Sequence, residues 1–145
     1  MLGRIGAARA ELPPLIAETR ASRIYETAPW GYTRQPAFLN QVIEAHTDLA
    51  PLDLLSYIKS IEVNLGRTPT FRYGPRLIDI DIIFYGDQVM DLPGLVIPHP
   101  LLEQRPFVLV PLAELAPQLH HPVNGQTMQT LVSRIDTTGV EVYPG

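Results

Sequence analysis

Asp79 and Asp81 stand two residues apart in a run of β-branched and aromatic residues that ends at Gly86. Such a run predicts a strand, with Ile82 and its apolar neighbours on the core face and both carboxylates on the opposite face. Along a strand, residues i and i+2 lie roughly 6.5 to 7 Å apart. Two like charges held at that spacing suit a divalent cation, so the segment is a candidate metal site.

Three arginines, Arg67, Arg72 and Arg76, precede the acidic pair within ten residues. Carboxylates bind magnesium and guanidinium groups neutralise phosphate oxygens, and phosphoryl transfer needs both. The pattern therefore favours a metal and phosphate site. The alternative is an ordinary solvated strand face on which acids and arginines form ion pairs, and the residues alone leave both interpretations open.

Length and composition limit the remaining possibilities. The chain has 145 residues, so residues 1–145 are expected to form a single domain. A hydrophobic fraction of 46% with 18% charged residues is typical of a globular protein without membrane spans. The absence of cysteine excludes disulfides and thiol nucleophiles, and with no signal peptide visible it fits a cytoplasmic protein. A net charge of −4 argues against general nucleic-acid binding.

The N-terminal half alternates between helical and strand patterns. The most regular is a helix that Asp48 could cap and that continues to Gly66, with apolar residues at 3.6-residue spacing. Upstream, the residue types predict a helix over 3–12, a strand over 16–26, a loop over 27–36 and a strand over 37–47.

The C-terminal third is less regular. Residues 88–90 predict a short edge strand, and His99 lies between two prolines on a stiff loop, where a histidine is more often functional than on an apolar helix face. A short apolar segment predicts helix after Pro111, and residues 127–134 predict a last helix with Thr127 near its cap. Residues 140–143 predict an edge strand.

Taken together, the element order predicts an α+β fold with an antiparallel sheet. It matches a ferredoxin-like αβ sandwich with a decorated C-terminal third, and its opening strand is missing, because the chain begins inside the first helix.

Several motifs over about residues 25–112 resemble one enzyme family. They are Tyr25-Glu26-Thr27-Ala28-Pro29-Trp30-Gly31, Gln35-Pro36-Ala37-Phe38-Leu39-Asn40, Ile61-Glu62 with Leu65-Gly66-Arg67, Tyr73-Gly74-Pro75-Arg76-Leu77-Ile78-Asp79-Ile80-Asp81, and Pro98-His99 with Arg105-Pro106-Phe107. In this order and spacing they are similar to the 6-hydroxymethyl-7,8-dihydropterin pyrophosphokinases of folate biosynthesis. That family transfers pyrophosphate from ATP to the hydroxymethyl oxygen of the dihydropterin and releases AMP.

The resemblance also implies roles for individual residues. Two Mg²⁺ ions would be held by Asp79 and Asp81, with ATP as co-substrate. The implied catalytic residues are Arg72, Arg76, Asp79 and Asp81. ATP would be contacted by Lys59, Glu62, Arg67, Tyr73, Ile82, His99 and Arg105. The pterin would be held by Thr27, Ala28, Trp30, Phe38, Asn40 and Phe107, with Asn40 hydrogen-bonded to its amide edge and Phe107 stacked on its ring.

Members of this family usually open with a strand that ends in a Gly-Ser-Asn turn, which this sequence lacks. A second hypothesis is therefore a non-catalytic or degenerate ferredoxin-like module that binds nucleotide or pterin. RNA binding is a third option, which the acidic pair and the net charge oppose. We expect small-molecule partners only, a monomer that could associate with other folate enzymes, and loops 28–36 and 67–74 that close over the substrates.

Overall fold

The computed structural model of the chain describes residues 2–27, 38–66 and 78–144. Within those ranges the chain forms four α-helices, seven strands and one 3₁₀ turn. The helices are α1 (Leu2–Ala10), α2 (Pro51–Gly66), α3 (Pro106–Leu115) and α4 (Met128–Ser133). The strands are β1 (Ile16–Ala21), β2 (Tyr25–Thr27), β3 (Phe38–Asn40), β4 (Ile43–Thr47), β5 (Met90–Leu92), β6 (Leu95–Ile97) and β7 (Val140–Val142), and the 3₁₀ turn is Leu102–Gln104.

The two long strands expected over 16–26 and 37–47 are each broken into two. Strand β1 pairs antiparallel with β4, and β2 lies between β3 and β7 in a second antiparallel sheet. At the break, the Ser22 hydroxyl accepts a hydrogen bond from the Val42 amide at 3.0 Å, and the Gln41 side chain donates to the Ser22 carbonyl at 2.7 Å. Between the two sheets, residues 22–24 lie opposite residues 41–42, so three residues face two, as in a β-bulge. At this point side chains form hydrogen bonds in place of backbone partners.

Helix α2 packs the first of two core clusters and matches its predicted extent. Its apolar positions Leu54, Ile58 and Ile61 are buried together with Leu12 and Ile16. The sequence predicted this helix because its apolar residues recur on one face, and burial of that face is what stabilises it.

The second cluster is built by α3, α4 and the 3₁₀ turn. Helix α3 begins at Pro106, five residues earlier than predicted, and Pro111 lies inside it. Pro106 occupies a first-turn position where no amide donor is needed. The Pro111 side chain is fully buried, so packing outweighs the one helical hydrogen bond that proline removes.

The segment that carries Asp79 and Asp81 runs between these two clusters and is not a strand in the structure, contrary to the prediction. Strand assignment requires a ladder partner, and none flanks residues 78–84 among the parts of the chain that are described. The predicted alternation holds at first, since Ile80 and Ile82 pack on the first cluster while both aspartates are exposed. It then stops, because Phe84 packs on the second cluster.

The C-terminal third follows the predicted order with shifted boundaries. The edge strand expected at 88–90 is β5, which pairs with β6 in a hairpin whose turn is Pro93-Gly94. Gly94 has a φ of +80°, a conformation that L side chains rarely adopt. The predicted cap and the last strand are confirmed: Thr127 accepts a hydrogen bond from the Thr130 amide at 3.1 Å, and β7 pairs with β2.

Small antiparallel sheets and helices that pack against them make this an α+β structure. No helix among the described residues is both long and apolar enough to cross a membrane.

Candidate active site

The acidic pair is held in place by a glutamate of α2. The Ile80 amide, which lies between the two aspartates, donates a hydrogen bond to Glu62 Oε2 at 2.7 Å. The other oxygen of Glu62 forms an ion pair with Lys59, with 3.2 Å between Nζ and Oε1. Only 11% of the Glu62 side chain is exposed, so this is more than the ordinary surface pair its spacing suggests. Glu62 therefore fixes the backbone from which both aspartates project.

The exposed aspartates have the chemistry of a magnesium site that a substrate completes. Asp79 and Asp81 supply hard oxygen ligands. In the described ranges no three acidic or histidine side chains come together as a closed metal site. Mg²⁺ usually binds proteins through one or two carboxylates and takes its other ligands from water and substrate phosphates, so two carboxylates fit it.

His99 lies close to this segment. Its amide donates to the Ile83 carbonyl at 3.0 Å, which ties the proline-flanked loop to the segment after the aspartates. The Leu101 amide donates to His99 Nδ1 at 3.2 Å, so the proton of the neutral ring belongs on Nε2. Burial lowers the pKa of His99, the Asp81 charge opposes this shift and the Arg105 charge adds to it. The structure thus brings His99, Asp81 and Arg105 into one electrostatic neighbourhood, with His99 as a neutral hydrogen-bond donor.

Arg105 connects this neighbourhood to Phe107. Its guanidinium carbon lies 5.7 Å from the centroid of the Phe107 ring, in the range of a cation–π contact. Arg105 immediately precedes α3, and Phe107 lies in its first turn. The residue predicted to contact nucleotide therefore touches the residue predicted to stack on the pterin.

The described residues predicted to hold pterin lie on β2, β3 and α3. Thr27 pairs with Phe38 across the ladder, and Tyr25 pairs with Asn40. The Thr27 hydroxyl oxygen is buried and has no hydrogen-bond partner in the described structure. A buried hydroxyl without a partner is costly, and a polar ligand could satisfy it. Phe38 is 57% exposed and Asn40 is half-buried.

Of the other predicted residues, two lie within the described ranges. Lys59 is an exposed residue on α2, and Ile82 is half-buried against the first core cluster. Six further residues lie outside the described ranges, and their assignments stay predictions: Ala28, Trp30, Arg67, Arg72, Tyr73 and Arg76. The loops expected to close, 28–36 and 67–74, also lie outside those ranges.

Sequence reasoning did not assign roles to Tyr25 and Glu114, which join β2 to α3. The Tyr25 hydroxyl donates to Glu114 Oε1 at 2.6 Å. The sequence held one indication of a role for Glu114. It follows Phe107 by seven residues, and this spacing puts both side chains on one face of a helix. Glu62 was predicted as an ATP contact, but its hydrogen bond to the Ile80 amide was not predicted.

Comparison with known proteins agrees with this geometry. Residues 2–117 match the family model for 7,8-dihydro-6-hydroxymethylpterin-pyrophosphokinase. A 2-amino-4-hydroxy-6-hydroxymethyldihydropteridine pyrophosphokinase of Pseudomonas aeruginosa is 43% identical over 90% of this chain and 82% of its own length. A protein of the same name from Methylorubrum extorquens is 45% identical over 88% of this chain and 80% of its own length.

A longer relative matches as well. A folic acid synthesis protein of Dictyostelium discoideum is 50% identical over 70% of this chain, which spans only 15% of that protein. Because the family model covers most of the sequence and the bacterial relatives align over most of both chains, this chain belongs to the 7,8-dihydro-6-hydroxymethylpterin-pyrophosphokinase family.

Proposed function

We propose that this chain transfers the terminal pyrophosphoryl group of ATP to the hydroxymethyl oxygen of 6-hydroxymethyl-7,8-dihydropterin and releases AMP. Family membership makes the chain a pyrophosphokinase of folate synthesis with ATP and a pterin as substrates. One structural observation supports the proposal most directly: Glu62 accepts a hydrogen bond from the backbone amide between Asp79 and Asp81, and both aspartates are exposed.

The nucleotide side of the site is proposed to depend on Mg²⁺. Two ions held by Asp79 and Asp81 would neutralise phosphate charge and align the β-phosphorus. The neutral His99 ring would donate Nε2–H to a phosphate oxygen, and Arg105 would add a fixed positive charge. Arg72 and Arg76 are proposed as catalytic phosphate ligands. Lys59, Arg67, Tyr73 and Ile82 complete the proposed ATP site.

The pterin side is proposed to combine stacking with polar contacts. Phe107 would stack on the ring, and Asn40 would bond to its amide edge. Thr27, whose hydroxyl has no hydrogen-bond partner among the described residues, would line the same pocket with Ala28, Trp30 and Phe38. The reacting hydroxymethyl oxygen forms a bond to the β-phosphorus while the bond from that phosphorus to the α-phosphate oxygen breaks, so that AMP leaves with that oxygen and its electron pair and the hydroxyl proton passes to solvent. Positioning and charge neutralisation are proposed to supply the catalysis.

We further propose a single domain over residues 1–145 with a ferredoxin-like arrangement. The antiparallel pairing of β1 with β4 and of β2 with β3 and β7 supports this proposal. A monomeric state and a cytoplasmic location remain predictions from the sequence.

The direct test is AMP formation from ATP, 6-hydroxymethyl-7,8-dihydropterin and Mg²⁺. We expect one AMP per pyrophosphorylated pterin, with no AMP when either the pterin or the metal is withheld. A folded protein that yields no AMP would refute the proposal. Magnesium-dependent ATP binding without turnover would instead select the non-catalytic binding module.

A further inference from the structure

A cluster of three side chains, Arg23, Tyr25 and Glu114, joins β2 to α3 away from the acidic pair. The Tyr25 hydroxyl donates to Glu114 Oε1 at 2.6 Å, and the Arg23 Nε donates to the same oxygen at 2.5 Å. The backbone amide of Arg23 donates to Glu114 Oε2 at 2.8 Å. Both oxygens of one helix carboxylate are therefore bonded to the start of β2. We call these three residues the tyrosine–glutamate cluster.

The cluster is partly shielded from water, which strengthens its bonds. Tyr25 is only 5% exposed, and 26% of the Glu114 side chain is exposed, while Arg23 covers the outside. Burial raises the pKa of Tyr25. Burial also opposes ionisation of Glu114, but the hydrogen bonds from Tyr25 and Arg23 outweigh it and lower the pKa of that carboxyl. At neutral pH the pair is thus a protonated phenol and an ionised carboxylate, a strong charge-assisted bond.

The location of the cluster connects it to one side of the site. Tyr25 is the ladder partner of Asn40 and lies two residues before Thr27 on the same strand. Glu114 lies two helical turns after Phe107. The cluster therefore joins two of the elements that carry the proposed pterin contacts, β2 and α3, and the third, β3, is paired with β2. The proposed ATP contacts in the described structure lie instead on α2, near Asp81 and on the loops before α3.

We propose that the tyrosine–glutamate cluster positions the pterin pocket by locking β2 and its partner β3 at a fixed distance from α3. This inference rests on the proposed function and assigns three residues that do not themselves touch a substrate. Their effect is indirect, because small misplacements of binding groups weaken binding even when the groups themselves are intact.

A second pair of residues provides a matched control. Arg20 and Glu44 form an exposed ion pair across β1 and β4, with 2.8 Å between Nη2 and Oε2. Arg20 also donates Nη1 to the Leu115 carbonyl at the end of α3, 3.0 Å away. Glu44→Gln therefore weakens a similar arginine–glutamate contact near the same helix end. It does so on strands that carry none of the proposed pterin contacts.

The test is equilibrium binding with the purified full chain. Affinity for 6-hydroxymethylpterin would be measured by fluorescence and affinity for ATP with Mg²⁺ by calorimetry, for wild type, Tyr25→Phe, Glu114→Gln, the double variant and Glu44→Gln. We expect Tyr25→Phe and Glu114→Gln each to weaken pterin binding about fivefold, the effect of one lost hydrogen bond. The affinity for ATP should stay within about twofold of wild type in each variant. The double variant should bind pterin no more weakly than the weaker of the two single variants, because both changes remove the same contact. Glu44→Gln should bind pterin as tightly as wild type.

Two results would overturn the inference: equal losses for pterin and ATP, which would indicate a general effect on folding, or unchanged pterin affinity in both single variants. If Tyr25→Phe does not fold, Glu114→Gln alone decides, because its side chain keeps nearly the same shape. Binding does not require turnover, so failure of the inference remains distinct from failure of the proposed function. The latter would appear as no AMP from wild type.

Discussion

The proposed nucleotide side and the proposed pterin side of this site are held together by different kinds of contact. On the nucleotide side, Glu62 bonds to one backbone amide and leaves both aspartates exposed. On the pterin side, Glu114 bonds to a buried tyrosine and to an arginine that covers it. The first arrangement presents charge to a ligand, and the second keeps charge within the protein. Exposed carboxylates suit the proposed binding of metal and phosphate, and internal hydrogen bonds suit the proposed pocket for a flat ring.

The largest effect on activity is expected when one of the two exposed aspartates is removed. Asp81→Ala should lower kcat by about a thousandfold, because it removes a proposed metal ligand. Its melting temperature should match wild type, since the side chain is exposed. Steady-state AMP formation and thermal unfolding measure the two quantities. Asp87→Ala, which changes an exposed aspartate in the following turn, is the control, and full activity in Asp81→Ala would remove the metal role.

A smaller loss of activity is expected when the residue that holds the backbone between the two aspartates is removed. Glu62→Ala deletes the acceptor for the Ile80 amide. Activity should fall about tenfold to a hundredfold, as is typical when a group that orients metal ligands is lost. The Mg²⁺ concentration needed for half-maximal activity should rise as well. Asn64→Ala on the exposed face of the same helix should leave both measurements unchanged. An unaltered Mg²⁺ dependence in Glu62→Ala would contradict this role.

The proposed pterin side can be tested at Phe107, its proposed aromatic contact. Phe107→Ala should raise the KM for the pterin about tenfold, because stacking and apolar contact with the ring are lost. The KM for ATP should change less, although Arg105 loses the ring beneath its guanidinium. Phe107→Tyr retains an aromatic face and should recover most of the affinity. A larger change for ATP than for pterin would reverse the assignment of the two sides.

The smallest expected effect concerns pH and the Glu114 carboxylate, which joins α3 to β2. The folded-state pKa of Glu114 lies below its ordinary value of 4.5. Its contribution to stability is therefore fully present above about pH 4.5 and is lost as the pH falls from there toward the folded-state pKa. The difference in melting temperature between wild type and Glu114→Gln should shrink over that interval. In a Tyr25→Phe background, where one donor is absent, the pH-dependent difference should be smaller, and a difference that grows at low pH would contradict this explanation.

The pattern of neighbouring residues was enough to predict those elements whose structure depends mainly on their own sequence. Helix α2 and the cap at Thr127 follow from apolar spacing and from one hydroxyl. The exposure of Asp79 and Asp81 beside half-buried isoleucines likewise follows from alternation. The prediction failed where distant residues decide. Pro111 stays helical because a core surrounds it, and the long strands break where Ser22 and Gln41 replace ladder bonds.

The sequence by itself determined the family, because its motifs match that family in residue type, order and spacing, and it predicted a metal and phosphate site from the acidic pair and the nearby arginines. Only the tertiary structure decided how those residues are supported. Glu62 reaches a backbone amide 18 residues away, and Glu114 reaches a tyrosine 89 residues away. No spacing rule connects such pairs, since their contact depends on how the helices pack against the strands.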